Sequence, residues 1–254
     1  MIGLVTWSTP RAGIRQKSVS LEESSILRMR FLRAEVRRTE RTPEAVLRRR
    51  MAQAAKGLRK RGVTRAVFPE DFPGLVQAEK AGVRPVSTRS LRRRMAADWV
   101  GELLRQRNVS PAGARVAVTA SQMTGELVRT VTELCLRHRY VLLETPYGGE
   151  ELCRQLRRDY GAALVLHPDR ESLETADVLV EFDPGEAREI RGPETLPLWK
   201  EDAPMLPLLL PPALEASLPE NCRRDQLLSA LLEAGAIRPG QMSVAAKSAI
   251  LGTA

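Results

Sequence analysis

Histidine, cysteine, lysine and aromatic residues are all scarce in this 254-residue chain. With two histidines and no H-E-x-x-H, the common zinc-hydrolase patterns are absent, and the same is true of the P-loop, G-x-S-x-G and C-x-x-C signatures. Three cysteines, Cys135, Cys153 and Cys222, are scattered and odd in number, which points to buried free thiols and away from a disulfide framework or metal site. No run approaches the roughly 18 to 20 apolar residues of a membrane span, and the opening MIGLVTW is too short for a signal peptide. The expectation is a cytoplasmic protein with no membrane contact and no metal. Aromatics amount to 4% of the chain, and the basic stretches lack interleaved rings for stacking on single strands. No helix-turn-helix, zinc-finger or RNP pattern is present.

What is present begins with Ala114 to Glu144, ARVAVTASQMTGELVRTVTELCLRHRYVLLE. It reads as strand, turn, amphipathic helix and a second strand ending in a carboxylate, the outline of a nucleotide-binding βαβ unit. Two further apolar runs, Ala162 to His167 and Asp177 to Asp183, follow at helix-sized intervals. Between them Glu150 to Tyr160 sets Leu152, Leu156 and Tyr160 on one helical face, and Pro168-Asp169 opens a shorter turn through Leu173. Near-continuous apolar strands imply a parallel sheet covered on both faces.

Over about residues 113 to 184 this pattern resembles the first half of the NAD(P)-binding Rossmann superfamily, and the ADVLVEF segment looks like the fourth strand of its dehydrogenases. The resemblance is to a fold and implies no particular enzyme. In the G-x-G-x-x-G fingerprint the three positions are Ala120, Gln122 and Gly125, so only the glycine that packs helix on strand survives. A side chain at Gln122 would crowd a pyrophosphate, while backbone N–H groups from Ser121 through Thr124 to Gly125 still offer an anion site. Glu144, 19 residues past Gly125, stands where an acidic residue accepts a ribose hydroxyl. Ser121, Glu144, His167 and Asp183 would border one sheet edge, giving a hydroxyl, two carboxylates and an imidazole. A histidine before proline is also an ordinary turn, and His138 in RHR is read as structural at a helix C-terminus. NAD(P) is the cofactor the resemblance implies, and any chemistry would be that of an NAD(P)-dependent oxidoreductase. No catalytic residue is identifiable.

Charge divides the chain. Residues 1 to 110 hold 25 Lys and Arg against 10 Asp and Glu, net +15, and residues 111 to 254 hold 15 against 21, net −6, which gives the overall +9. The expected organisation is therefore a smaller basic α/β domain over 1–110, including a linking helix, and a Rossmann-like domain over 111–254, with Ser110-Pro111-Ala112-Gly113 as the boundary. In the first domain, strands are expected at Ile2 to Trp7, Thr64 to Phe68 and Val83 to Ser87. Ser20 and Glu23 form a capping box for a helix over Leu21 to Arg38, and Thr42-Pro43-Glu44 opens a second helix ended by Gly62. A third, about Ser90 to Arg107, would turn Leu91, Met95, Trp99 and Leu103 inward.

Eight prolines between 184 and 219 break the later chain into short pieces, with an edge strand expected at Met205 to Leu210. A helix is expected over Arg223 to Ala234, stopped by Gly235. Met242 to Ala254 reads as a docking helix or a frayed tail.

Two functions of different kinds fit these features. One is a nucleotide or small metabolite held in the crevice. The other is a non-catalytic scaffold whose basic amino-terminal helices, Arg48 to Arg50 among them, engage an acidic protein or nucleic acid. Only six of the 40 basic residues are lysine, as an arginine-biased coding sequence alone would give, which is the blander account of the charge.

Overall fold

The computed structural model describes residues 1–9, 17–184, 190 and 192–245. Its contacts divide the chain into two compact units, one formed by Met1–Thr88 with Leu210–Gln241, the other by Arg89–Leu209 with Met242–Ala254. The division falls elsewhere than at Ser110-Pro111, because the linking helices belong with the second unit and a later segment returns to the first.

The first unit is built on β1 (Ile2–Ser8), β2 (Val19–Ile26), β3 (Met29–Arg37), α1 (Glu44–Lys60), β4 (Arg65–Val67), α2 (Leu75–Lys80) and β5 (Arg84–Pro85). The five strands form one sheet in the order β2-β3-β1-β4-β5, parallel except for the antiparallel β2–β3 hairpin. That hairpin replaces the helix expected over Leu21 to Arg38. The Ser20 and Glu23 pair mimics a capping box, but Leu32, Ala34 and Val36 are buried in one cluster with α1 and Phe31 is buried as well, a tertiary preference that overrides the local signal. The helix begun at Pro43 forms as expected, with Leu47, Met51, Ala54 and Leu58 buried on the sheet.

The second unit opens with α3 (Arg89–Arg94) and α4 (Ala96–Gln106), two helices where one was expected. The break at Met95 resets the inward face, so Leu104 is buried and Leu103 only half-buried. The chain continues through β6 (Arg115–Thr119), α5 (Gly125–Arg137), β7 (Tyr140–Glu144), α6 (Gly149–Tyr160), β8 (Val165–Leu166), α7 (Arg170–Glu174), β9 (Val178–Glu181) and β10 (Glu194–Pro197). All five strands are parallel, in the order β10-β9-β6-β7-β8. Asp169 caps α7 by accepting from the Ser172 N–H at 2.8 Å, and the Ser172 hydroxyl together with that N–H holds its carboxyl below the usual carboxylate range.

After β8 the chain crosses back over the sheet, and because parallel crossovers keep one hand, α7 covers the face opposite α5 and α6. Side-chain alternation agrees. Ala117, Leu142 and Leu179 meet Leu173 and Ala176 of the α7 segment, leaving Val116, Val118, Val141 and Leu143 for α5, whose Leu127, Val131 and Leu134 are buried. Tyr160 is exposed while Leu152 and Leu156 are buried.

β11 (Leu208–Leu209) and β12 (Ser243–Val244) form a separate antiparallel pair, so the strand expected at Met205 to Leu210 is shorter and joins no large sheet. α8 (Pro212–Glu215) and α9 (Arg224–Glu233) belong to the first unit. Leu227, Leu228 and Leu231 of α9 are buried, and Leu232 is half-buried. The end of the Met242 to Ala254 stretch, 246–254, lies outside the described residues. Among the described residues no helix is long and apolar enough to cross a membrane, and no cluster of three metal-ligating side chains occurs. The three cysteines are free thiols; burial pushes the Cys135 thiol up to about 12 and the Cys222 thiol up to about 11.

Candidate functional site

The turn from β6 into α5 lies beside the ends of three other strands. Ala120 donates its N–H to the Glu144 carbonyl at 3.0 Å, Phe182 donates to the Thr119 carbonyl at 2.9 Å, and His167 donates to the Leu143 carbonyl at 3.1 Å. Thr119 thus pairs in register with Glu144 on one side and with Glu181 on the other. Ala120, Ser121, Gln122, Thr124, Gly125, Glu144, His167 and Asp183 consequently all sit along the carboxyl edge of one parallel sheet, whose order reverses between β6 and β9, with His167 the farthest from that point, after β8.

Thr124 is the N-cap of α5, its Oγ1 accepting from the Leu127 N–H at 3.2 Å. Gly125 is exposed, and a Cβ there would meet nothing within 4 Å. It does not serve the helix-on-strand packing expected of the last fingerprint glycine. The close approach in this crevice occurs one loop away, at Gly148. A Cβ on Gly148 would lie 2.8 Å from Met123 Cγ, and the backbone is left-handed at φ +79°. Met123 therefore reaches from the first turn to the loop after β7, while Gln122 remains exposed.

The anion position at the turn already has an occupant. Asp183 Oδ2 accepts from the Ser121 Oγ–H at 3.2 Å and from the Ser121 N–H at 3.4 Å. Asp183 Oδ1 takes Arg93 Nη2 at 2.9 Å, and Arg93 Nη1 holds Glu126 Oε2 at 2.7 Å. The guanidinium lies 4.3 Å from the centre of the Phe182 ring and donates to the Phe182 carbonyl at 3.2 Å. Arg93 is 16% exposed, so it works at low dielectric, clamping the first turn of α5 to the end of β9. Sequence reasoning missed this residue. Its only trace is the Arg92-Arg93-Arg94 triplet, which does not say which arginine turns inward.

Glu144 is half-buried, and its carboxylate accepts no hydrogen bond from the described residues. His167 is exposed with φ +49°, a conformation uncommon outside glycine although histidine enters it more readily than most residues. The edge thus presents an unengaged carboxylate and imidazole on one side of the turn, and a closed Ser121–Asp183–Arg93–Glu126 network on the other.

These features define a Rossmann-like α/β protein: a parallel sheet whose order, counted along the chain, is 3-2-1-4-5, with a helix N-terminus at the switch point. No family model and no curated protein matches the chain. Solved structures similar to it include an L-tryptophan dehydrogenase from Nostoc punctiforme, at 16% identity over 59% of this chain and 44% of that one, with a TM-score of 0.26. The apo D-lactate dehydrogenase of Escherichia coli aligns at 16% identity over 54% and 48% of the two chains, with a TM-score of 0.27. A shikimate 5-dehydrogenase from Listeria monocytogenes, in complex with shikimate and NAD, aligns at 10% identity over 71% and 67%, with a TM-score of 0.26. The chain spans less than half the length of the first two. The fold assignment rests on this chain's own strand order and crossovers.

Proposed function

We propose that the second unit binds a nucleotide or small polar metabolite at the carboxyl edge of β6, β7, β8 and β9, with NAD(P)(H) the first ligand to test and redox chemistry the reaction class if it is an enzyme. The observation that carries this reading is the reversal of strand order beside a capped helix N-terminus, with Ser121, Thr124, Gly125, Glu144 and His167 on the same edge. In it, Glu144 accepts ribose hydroxyls and His167 faces the more distal part of the ligand. Asp183 competes with any phosphate for the Ser121 donors. A dinucleotide lying on this turn therefore has to displace a carboxylate that Arg93 holds in place. Buried free thiols fit a cytoplasmic setting.

Thermal-shift titration with NAD(P)(H) and mononucleotides tests the proposal. Glu144→Lys and Gly125→Trp are expected to abolish a ligand-induced shift, whereas Asp183→Asn, which removes the competing charge, should tighten an anionic ligand by up to about fivefold, the size of one charge effect at a helix N-terminus. A flat response from well-folded protein removes the reading.

A second reading, a non-catalytic scaffold engaging an acidic protein or nucleic acid through the amino-terminal unit, is favoured by the charge division. The first unit as folded carries 22 Lys and Arg against 12 Asp and Glu, net +10, and the second 18 against 19, net −1.

A further inference from the structure

Most arginines of the first unit that border an acidic side chain are neutralised by it. Arg33 pairs with Glu35, Arg38 with Asp71, Arg48 with Glu44 and Arg65 with Glu233. Arg50 spends its guanidinium on the Arg37 carbonyl. Of the Arg48 to Arg50 triplet, only Arg49 lacks such a partner among the described residues, and it opens onto a groove between β2 and α1.

That groove has a volume of about 910 Å³, and its charged lining is Lys17, Arg49, Lys56, Lys60 and Arg61 against the single carboxylate of Glu22. None of the five cations forms an ion pair among the described residues. Three of the chain's six lysines stand here. The α1 contribution is a stripe: Arg49, Gln53, Lys56 and Lys60 recur at intervals of four, three and four residues, all exposed, and span about 16 Å of helix axis. Gly57 shapes the floor, since a Cβ there would lie 2.7 Å from Leu21 Cδ1, so strand and helix approach closely beneath the cations. The remaining lining is Val19, Ser20, Leu21, Ala52, Gln53 and Gly57, with the two aliphatic side chains packed down on the core and no aromatic ring.

We propose that this groove binds the phosphodiester backbone of a nucleic acid, without reading its bases. The inference rests on the second reading above and is independent of any ligand in the second unit. A row of cations over about 16 Å suits an extended polyanion better than one phosphate. Lysine ammonium groups serve phosphates as point charges. The absence of rings excludes base stacking, and the absence of a deep apolar pocket leaves no seat for the buried anchor that a protein partner needs. Binding therefore depends on counterion release and falls steeply with salt.

Fluorescence anisotropy with the full chain tests this, using a labelled 20-base-pair DNA duplex, a 20-nucleotide RNA of mixed sequence, and polyglutamate of similar charge. Affinity for the nucleic acids should fall roughly a hundredfold between 50 and 200 mM salt, as expected for about four neutralised phosphates, and should not depend on base sequence. The double variant Arg49→Glu/Lys56→Glu should lose binding, and the milder Arg49→Gln/Lys56→Gln should weaken it at least tenfold with an unchanged melting temperature. Lys80→Glu/Arg84→Glu, an equal change of charge outside the groove, should retain it. Equal loss in both charge-reversed variants, preference for polyglutamate, or no binding at 50 mM salt would each overturn the proposal. A nucleotide-induced thermal shift that survives in Arg49→Glu/Lys56→Glu keeps the fate of the crevice separate from that of the groove.

Discussion

His138 shows what a single buried polar atom does to a chain of this kind. It ends α5 and is buried, and its Nδ1 lies 3.3 Å from the Pro111 carbonyl, an acceptor, so Nδ1 carries the proton. Nε2 is left buried without a partner among the described residues. Burial disfavours the imidazolium, and neighbouring Arg137 adds repulsion, so the histidine titrates below its ordinary 6.5. Unfolding releases it to bind a proton more readily, hence the unfolded state gains protons over the folded one as pH falls below 6.5, and stability is lost there. Chemical denaturation at several pH values should show a decline below 6.5 in the parent chain that is smaller in His138→Leu. Identical pH profiles would contradict it. Arg93 belongs to the same scale, because its guanidinium decides that the turn after β6 is presented already occupied by Asp183.

The element that most departs from expectation is the β2–β3 hairpin. Its two-residue turn places Leu27 at φ +47° and Arg28 at φ +67°, the paired positive angles of a type I′ turn, where Asn-Gly is the usual sequence. Leucine and arginine both resist that region, so the turn carries no sequence signature and the hairpin is held by the burial of β3. Installing the preferred dipeptide as the double variant Leu27→Asn/Arg28→Gly should stabilise the chain by about 1–2 kcal/mol, since left-handed backbone costs a β-carbon residue roughly that much. Urea denaturation measures it, and a loss of stability would show that Leu27 or Arg28 contributes contacts that outweigh the strain. Several other local signals were sufficient. The Pro43 start of α1, the Asp169 cap and the near-continuous apolar runs of β6, β7 and β9 agree with the packing that surrounds them. β10 escaped notice because it is short and bounded by Pro193 and Pro197, and a proline at the end of an edge strand is tolerated.

At the scale of the molecule, the first unit is discontinuous. α9 closes it through Gln226, whose Oε1 accepts the buried Phe68 N–H at 3.0 Å, through Ser229, which donates to the Ser87 carbonyl at 2.7 Å, and through the Arg223 N–H on the Phe68 carbonyl at 2.7 Å. A fragment of residues 1–110 lacks all three contacts, and should therefore melt without a cooperative transition, while 89–245 retains its sheet and melts cooperatively. In the full chain Gln226→Leu leaves the Phe68 N–H without an acceptor and should cost about 1–3 kcal/mol. Circular dichroism melts check both, and a cooperative 1–110 would show that the amino-terminal sheet stands without α9.

The parallel sheet of the second unit, its helices and the edge carrying Ser121, Glu144, His167 and Asp183 were legible from residue order alone, because period and apolar run length are local properties that buried parallel strands impose on their own sequence. Where α9 returns, which cations stay unpaired beside β2, and that Asp183 and Arg93 close over the turn were decided only in three dimensions. Each depends on residues far apart in the chain meeting at a few ångströms, and no local pattern encodes that distance.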